Sequence, residues 1–98
     1  MIHVATEQLA VVQDILAKHV PGIRVRAFGS RVTGERLKQF SDLDLVLMTE
    51  TPLGFPLRET IREAFSESDL PMSVDILEWC DLSPTFQAII EQDHVVIQ

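Results

Sequence analysis

Along the first twenty positions apolar residues recur at steps of three and four: Leu9, Val12, Ile15, Leu16 and Val20. That is the helical period, and Pro21-Gly22 follows as a stop, so the pattern predicts an amphipathic helix over residues 5–19. The period then shortens to two. Ile23, Val25 and Ala27 alternate with Arg24, Arg26 and Phe28, which predicts a strand with a polar face at its start. Gly29-Ser30 ends that strand, and residues 31–38 read as a short helix or turn. Leu43 to Met48 is apolar enough for a strand inside a sheet. Beyond Thr51-Pro52 and Pro56, a stripe of Leu57, Ile61, Ala64 and Phe65 predicts a helix over about 57–66. Pro71 precedes a third strand, Ser73 to Glu78. Ser83-Pro84 is an N-cap followed by proline at the first helical position, which opens a helix through about Gln92. Val95 to Ile97 can close as a short edge strand. The order α-β-α-β-α-β-α-(β) predicts an α/β or α+β domain, a small mixed sheet with flanking helices.

Size and composition agree with that plan. The 98 residues, 46% hydrophobic and 23% charged, suit one compact domain over residues 1–98. The longest apolar runs, Leu9 to Val12 and Leu45 to Met48, are four residues each, against about 20 for a membrane-spanning helix. A soluble protein with no membrane contact is expected. The lone Cys80 can form no internal disulfide, and the N-terminus lacks the cationic start and apolar run of a secretion signal, so the expected compartment is the cytoplasm. His3, His19 and His94 are isolated from each other and from Cys80, which argues against zinc.

Charge divides the chain into zones. The net charge of −7 opposes a general nucleic-acid binder held by phosphate contacts. Yet Arg24 to Lys38 carries five basic residues and one acid, while Glu63 to the C-terminus carries eight acids and no Lys or Arg. The basic zone brackets Gly29-Ser30. Glycine permits close backbone approach to a ligand and N–H groups at a helix start attract phosphate; Ser30 adds a hydroxyl and Arg31 a positive charge. Taken alone, such a dipeptide is an ordinary strand-to-helix turn.

Asp42-Leu-Asp44 holds the second candidate chemistry. In a strand, residues i and i+2 project from one face, and two such carboxylates suit Mg²⁺, a hard cation usually held by one or two carboxylates plus substrate phosphates. In a chain with seven Asp residues a chance pair of this kind is not rare. Asp75 strengthens the case, since it sits between Val74 and Ile76 in a predicted strand, where an acid is uncommon without a partner. Facing Asp42 and Asp44, it would complete a three-carboxylate site that repels itself unless metal is bound. Its ordinary reading is a strand-end or edge acid facing solvent.

Phe28-Gly29-Ser30-Arg31-Val32-Thr33-Gly34, then Ser41-Asp42-Leu43-Asp44-Leu45, then Val74-Asp75-Ile76, resembles the nucleotidyltransferases of the DNA polymerase β superfamily. The likeness is closest to the minimal nucleotidyltransferase (MNT) domains, many of which are antitoxins encoded beside HEPN toxins. Eleven residues between Ser30 and Asp42 fit the family spacing. One departure is Thr33, where many members carry a second Arg. The resemblance implies that Asp42, Asp44 and Asp75 are the catalytic and metal-binding residues, holding two Mg²⁺ ions, with Asp75 acting as, or aligning, the base. It implies that Gly29 and Ser30 hold the β- and γ-phosphates of ATP and that Arg31 neutralises charge on the leaving group. AMP would pass to a tyrosine hydroxyl of a HEPN RNase toxin, in trans, since this chain contains no Tyr. Members acting on antibiotics or nucleic acid carry an additional substrate-binding domain, so here the acceptor is expected from another molecule. Two alternatives stand beside this one. A non-catalytic antitoxin would occlude a basic toxin surface with its acidic segment, forming a hetero-oligomer. A transferase acting on a small molecule or RNA end would need an acceptor site from a partner subunit, which homodimerisation could supply.

Overall fold

The computed structural model describes residues 2–98. Helix α1 spans Thr6–His19, strand β1 Val25–Phe28, helix α2 Ser30–Thr33, strand β2 Leu43–Leu47, helix α3 Phe55–Ser66, strand β3 Val74–Glu78, helix α4 Pro84–Gln92 and strand β4 Val95–Val96, with a 3₁₀ turn at Trp79–Asp81. The sheet order is β3-β2-β1-β4. It is mixed, as expected: β1 pairs antiparallel with β2 and β4, while β2 and β3 run parallel. The parallel pair needs a crossover, which α3 supplies as a β2–α3–β3 unit.

Strand alternation assigns the two faces. Val25 and Ala27 of β1 and Leu43, Leu45 and Leu47 of β2 are fully buried in one core with Val12 and Leu16 of α1 and Ile61 of α3. Phe28, Val46 and Ile90 form a second core with Leu77, Trp79 and Phe86, on the α4 side. The stripes predicted for the first and third helices are therefore the ones the sheet covers.

Differences from the predicted elements have local causes. Helix α3 begins two residues before the predicted start, because Pro56 is tolerated in a first turn whose N–H groups need no intrahelical partner. Helix α2 is only four residues, since Gly34 (φ 77°) enters the left-handed region and closes it. The short helix or turn predicted over 31–38 is thus a four-residue helix followed by a loop with turns at 35–36 and 39–40. Helix α4 matches the prediction, with Ser83 Oγ accepting a hydrogen bond from the Phe86 N–H at 3.2 Å. Past the end of β2, the buried Glu78 carboxylate accepts from the Leu53 N–H (2.8 Å) and pairs with Arg58 (3.6 Å), which ties the start of the crossover to β3.

Candidate active site

Leu43 and Leu45 are completely buried, and the pleat between them turns Asp44 to the opposite face. Parallel registry then sets Asp44 beside Asp75 of β3, while antiparallel registry sets it beside Phe28, the last residue of β1. Asp42 lies just before β2 on the same alternation, and the following N–H, of Leu43, donates to the Ser73 carbonyl at 2.9 Å. The three predicted carboxylates thus occupy adjacent strands at one end of the sheet. Asp42 and Asp75 are exposed and Asp44 is half-buried. Strand β3 is an edge strand, so Asp75 is an exposed edge acid, and its registry also sets it beside Asp44.

Electrostatics tie the carboxylates together. The Asp44 carboxyl is raised from the ordinary 3.8 to about 6, first by burial and then by the negative charges of Asp75 and Asp42. Among the described residues, no three acidic, histidine or cysteine side chains converge closely enough to hold a metal ion by themselves. The carboxylates form an open cluster, self-repelling and composed only of hard oxygen donors. That donor chemistry fits a divalent cation completed by phosphate oxygens.

The Gly29-Ser30 turn adjoins this cluster directly. Gly29 has φ 80°, a conformation that L side chains rarely adopt, and a Cβ placed there would overlap the Asp44 carboxylate. Glycine is required twice over, by the backbone and by the carboxylate packed against it. Ser30 and Arg31 then open α2, and their N–H groups have no intrahelical acceptor.

Arg31 is placed differently from its expected position beside a phosphate. Its side chain is buried, and it donates to three main-chain carbonyls: Nε to Ser41 (2.7 Å), Nη1 to His3 (2.9 Å) and Nη2 to Gln39 (3.2 Å). Arg26 is likewise engaged, paired with Glu91 and lying 5.4 Å from the Trp79 ring centroid. Two of the five basic residues of this zone are therefore engaged within the fold, while Arg24, Arg36 and Lys38 are exposed.

A cleft of about 470 Å³ opens beside the carboxylates, lined by Phe28, Asp44, Arg58, Arg62, Asp75 and Phe86 among others. Phe28 and Phe86 meet edge-to-face, with centroids 5.8 Å apart at 84°. Asp44 and Asp75 were singled out from the sequence; Phe28, Arg58, Arg62 and Phe86 were not. Arg58 and Arg62 are spaced i and i+4, so they share a face of α3, which was a readable signal. The convergence of Phe28 with Phe86 was not, because it depends on how α4 packs.

The profile of the family described as "Nucleotidyltransferase domain" matches residues 9–97. The chain belongs to this nucleotidyltransferase family. Within it, the chain is 50% identical over 97 residues to a Haemophilus influenzae protein named "Probable protein adenylyltransferase MntA", a match covering 99% of this chain and 84% of that protein. This supports assignment to the minimal type of nucleotidyltransferase. A solved structure described as "Crystal structure of the toxin-antitoxin with AMP-PNP" shares the fold, with a TM-score of 0.74, 18% identity, and coverage of 92% of this chain and 72% of that one.

Proposed function

We propose that this nucleotidyltransferase is a protein adenylyltransferase and antitoxin that transfers AMP from ATP to a tyrosine hydroxyl of a HEPN-type RNase toxin and thereby neutralises it in the cytoplasm. One observation carries the reading: Asp44 and Asp75 stand in register on neighbouring strands, with Asp42 close enough to raise the Asp44 pKa, beside a glycine turn that has no room for a side chain. The 50%-identical relative named as a protein adenylyltransferase, and the fold shared with a toxin–antitoxin structure containing AMP-PNP, support the substrate and the partner.

In this reading Asp42, Asp44 and Asp75 hold two Mg²⁺ ions. Bound there, Mg²⁺ would offset the charge of the carboxylates and of the triphosphate oxygens on both sides of an in-line displacement. Gly29 leaves backbone room for the β- and γ-phosphates, and the Ser30 hydroxyl donates to them. The acceptor oxygen forms a bond to the α-phosphorus while the bond from that phosphorus to pyrophosphate breaks. Asp75, on the exposed strand, aligns the acceptor hydroxyl and takes its proton. The cleft on the Asp75 side is where the acceptor would enter.

The test is intact-mass measurement of the protein encoded beside this chain, expected to be of the HEPN type, after incubation with ATP and Mg²⁺. The expected result is a gain of one or more AMP groups on a tyrosine of that protein. Neutralisation with no mass gain would leave occlusion by binding as the mechanism, and labelling of a metabolite or an RNA end instead would reassign the acceptor.

A further inference from the structure

Asp42 lies outside β2, so the strand ladder does not fix its backbone. It is held from both sides by other means. On its C-terminal side the Leu43 N–H donates to the carbonyl of Ser73, the residue just before β3. On its N-terminal side the Ser41 carbonyl accepts from Arg31 Nε at 2.7 Å, and Arg31 Nη2 takes the Gln39 carbonyl at 3.2 Å. The guanidinium therefore grips the chain at two points flanking the exposed Phe40, immediately before Asp42. Its third bond reaches His3, and the His3 N–H returns to the Arg31 carbonyl at 2.6 Å, so the N-terminal segment is clasped to α2 in both directions. The loop adds its own bond, with the Lys38 N–H donating to Ser41 Oγ at 2.8 Å.

We infer that Arg31 is a positioning residue: it locks the 39–41 segment to the Gly29-Ser30 turn and so fixes the separation between Asp42 and the phosphate-binding turn. The chemistry requires arginine. Three carbonyls in three directions need the planar fork of N–H donors, and at 7% exposure an unsatisfied or differently shaped cation is costly. Lysine offers one compact ammonium on a flexible stem, which cannot reach all three acceptors at once. The inference rests on the reading of Asp42 as a metal ligand.

The test compares Mn²⁺ affinity, followed by the electron paramagnetic resonance signal of free Mn²⁺, for the full chain and for Arg31→Lys, Arg31→Ala and Asp42→Asn. Each is measured at a temperature where circular dichroism shows it folded. Both Arg31 variants are expected to bind Mn²⁺ about 10- to 100-fold more weakly, the usual loss when a group that orients a metal ligand is removed. Added guanidinium ion is expected to restore part of that affinity to Arg31→Ala and none to Arg31→Lys. Wild-type Mn²⁺ affinity in a folded Arg31→Lys variant with only a lower Tm would overturn the inference, leaving Arg31 a purely structural brace. Unchanged affinity in Asp42→Asn would instead remove the site reading and the inference with it. Hydrogen exchange on the unmodified chain provides a measurement independent of variant folding. The Lys38 and Ser41 amides are expected to be protected, and exchange at the rate of an open loop would contradict a locked segment.

Discussion

At the residue scale, Asp44 and Gly29 are the pair on which the site turns, because each constrains the other. The Asp44 pKa is raised from 3.8 to about 6, first by burial, so in the folded metal-free chain its neutral form is favoured below about pH 6. The stabilisation associated with that proton is complete below about pH 4 and is lost as pH rises through about 6. Asp44→Asn removes the titration. In chelator, the Tm advantage of Asp44→Asn over the unmodified chain is expected to grow between about pH 4 and pH 6, modestly because the group is half-exposed and screened, and Mg²⁺ is expected to reduce it by stabilising the unmodified chain. Parallel pH profiles for the two proteins would contradict the upward shift that burial and the neighbouring carboxylates impose on Asp44. Gly29→Ala forces a side chain into a φ of 80° and into the Asp44 carboxylate. It is expected to cost about 1–3 kcal/mol in a denaturant titration, the range for a strained backbone conformation, and to lower transfer activity by about 100-fold through displacement of the carboxylate.

At the scale of elements, what could be read locally was read well. Ser83-Pro84 announces α4 because a cap and an N-terminal proline are short-range chemistry, and Ser83 does cap the Phe86 N–H. Ser83→Ala is expected to lower stability by about 1 kcal/mol, seen as a small drop in Tm with transfer unchanged. The edge strand near Val95, the buried β2 and the stripe on α3 were legible for the same reason: period and punctuation act over a few residues. The start of α3 was not, because proline both breaks a helix interior and suits its first turn, and only packing decides between the two. Arg31 was misplaced for a related reason. A charge among other charges looks free in one dimension, and nothing in the period of the chain says that three carbonyls from residues 3, 39 and 41 will surround it. The i, i+2 spacing of Asp42 and Asp44 predicted a shared face, but their meeting with Asp75 depends on the parallel registry of β2 and β3, a long-range fact carried here by family resemblance.

For the whole molecule, the zoned charge takes on a different meaning once folded. The acidic half is not one uniform patch. Asp75 joins the site, Glu78 is buried against Arg58, and Glu91 pairs with Arg26, while Glu63, Glu67, Asp69 and Asp93 remain exposed. The basic zone is partly consumed as bracing, through Arg26 and Arg31, while Arg24, Arg36 and Lys38 stay exposed. The sheet places the turn and the carboxylates at one end, with a cleft beside the edge strand. The central claim is that these three carboxylates drive nucleotidyl transfer to a partner protein. Its most direct test is transfer of label from ATP, carried on the α-phosphate or on the γ-phosphate, to the HEPN-type partner by the unmodified chain and by the Asp42→Asn, Asp44→Asn double variant. The account predicts α-label on the partner with the unmodified chain, no γ-label, and neither with the double variant; α-label that persists in the double variant, or a partner that takes up none from the unmodified chain, would contradict it.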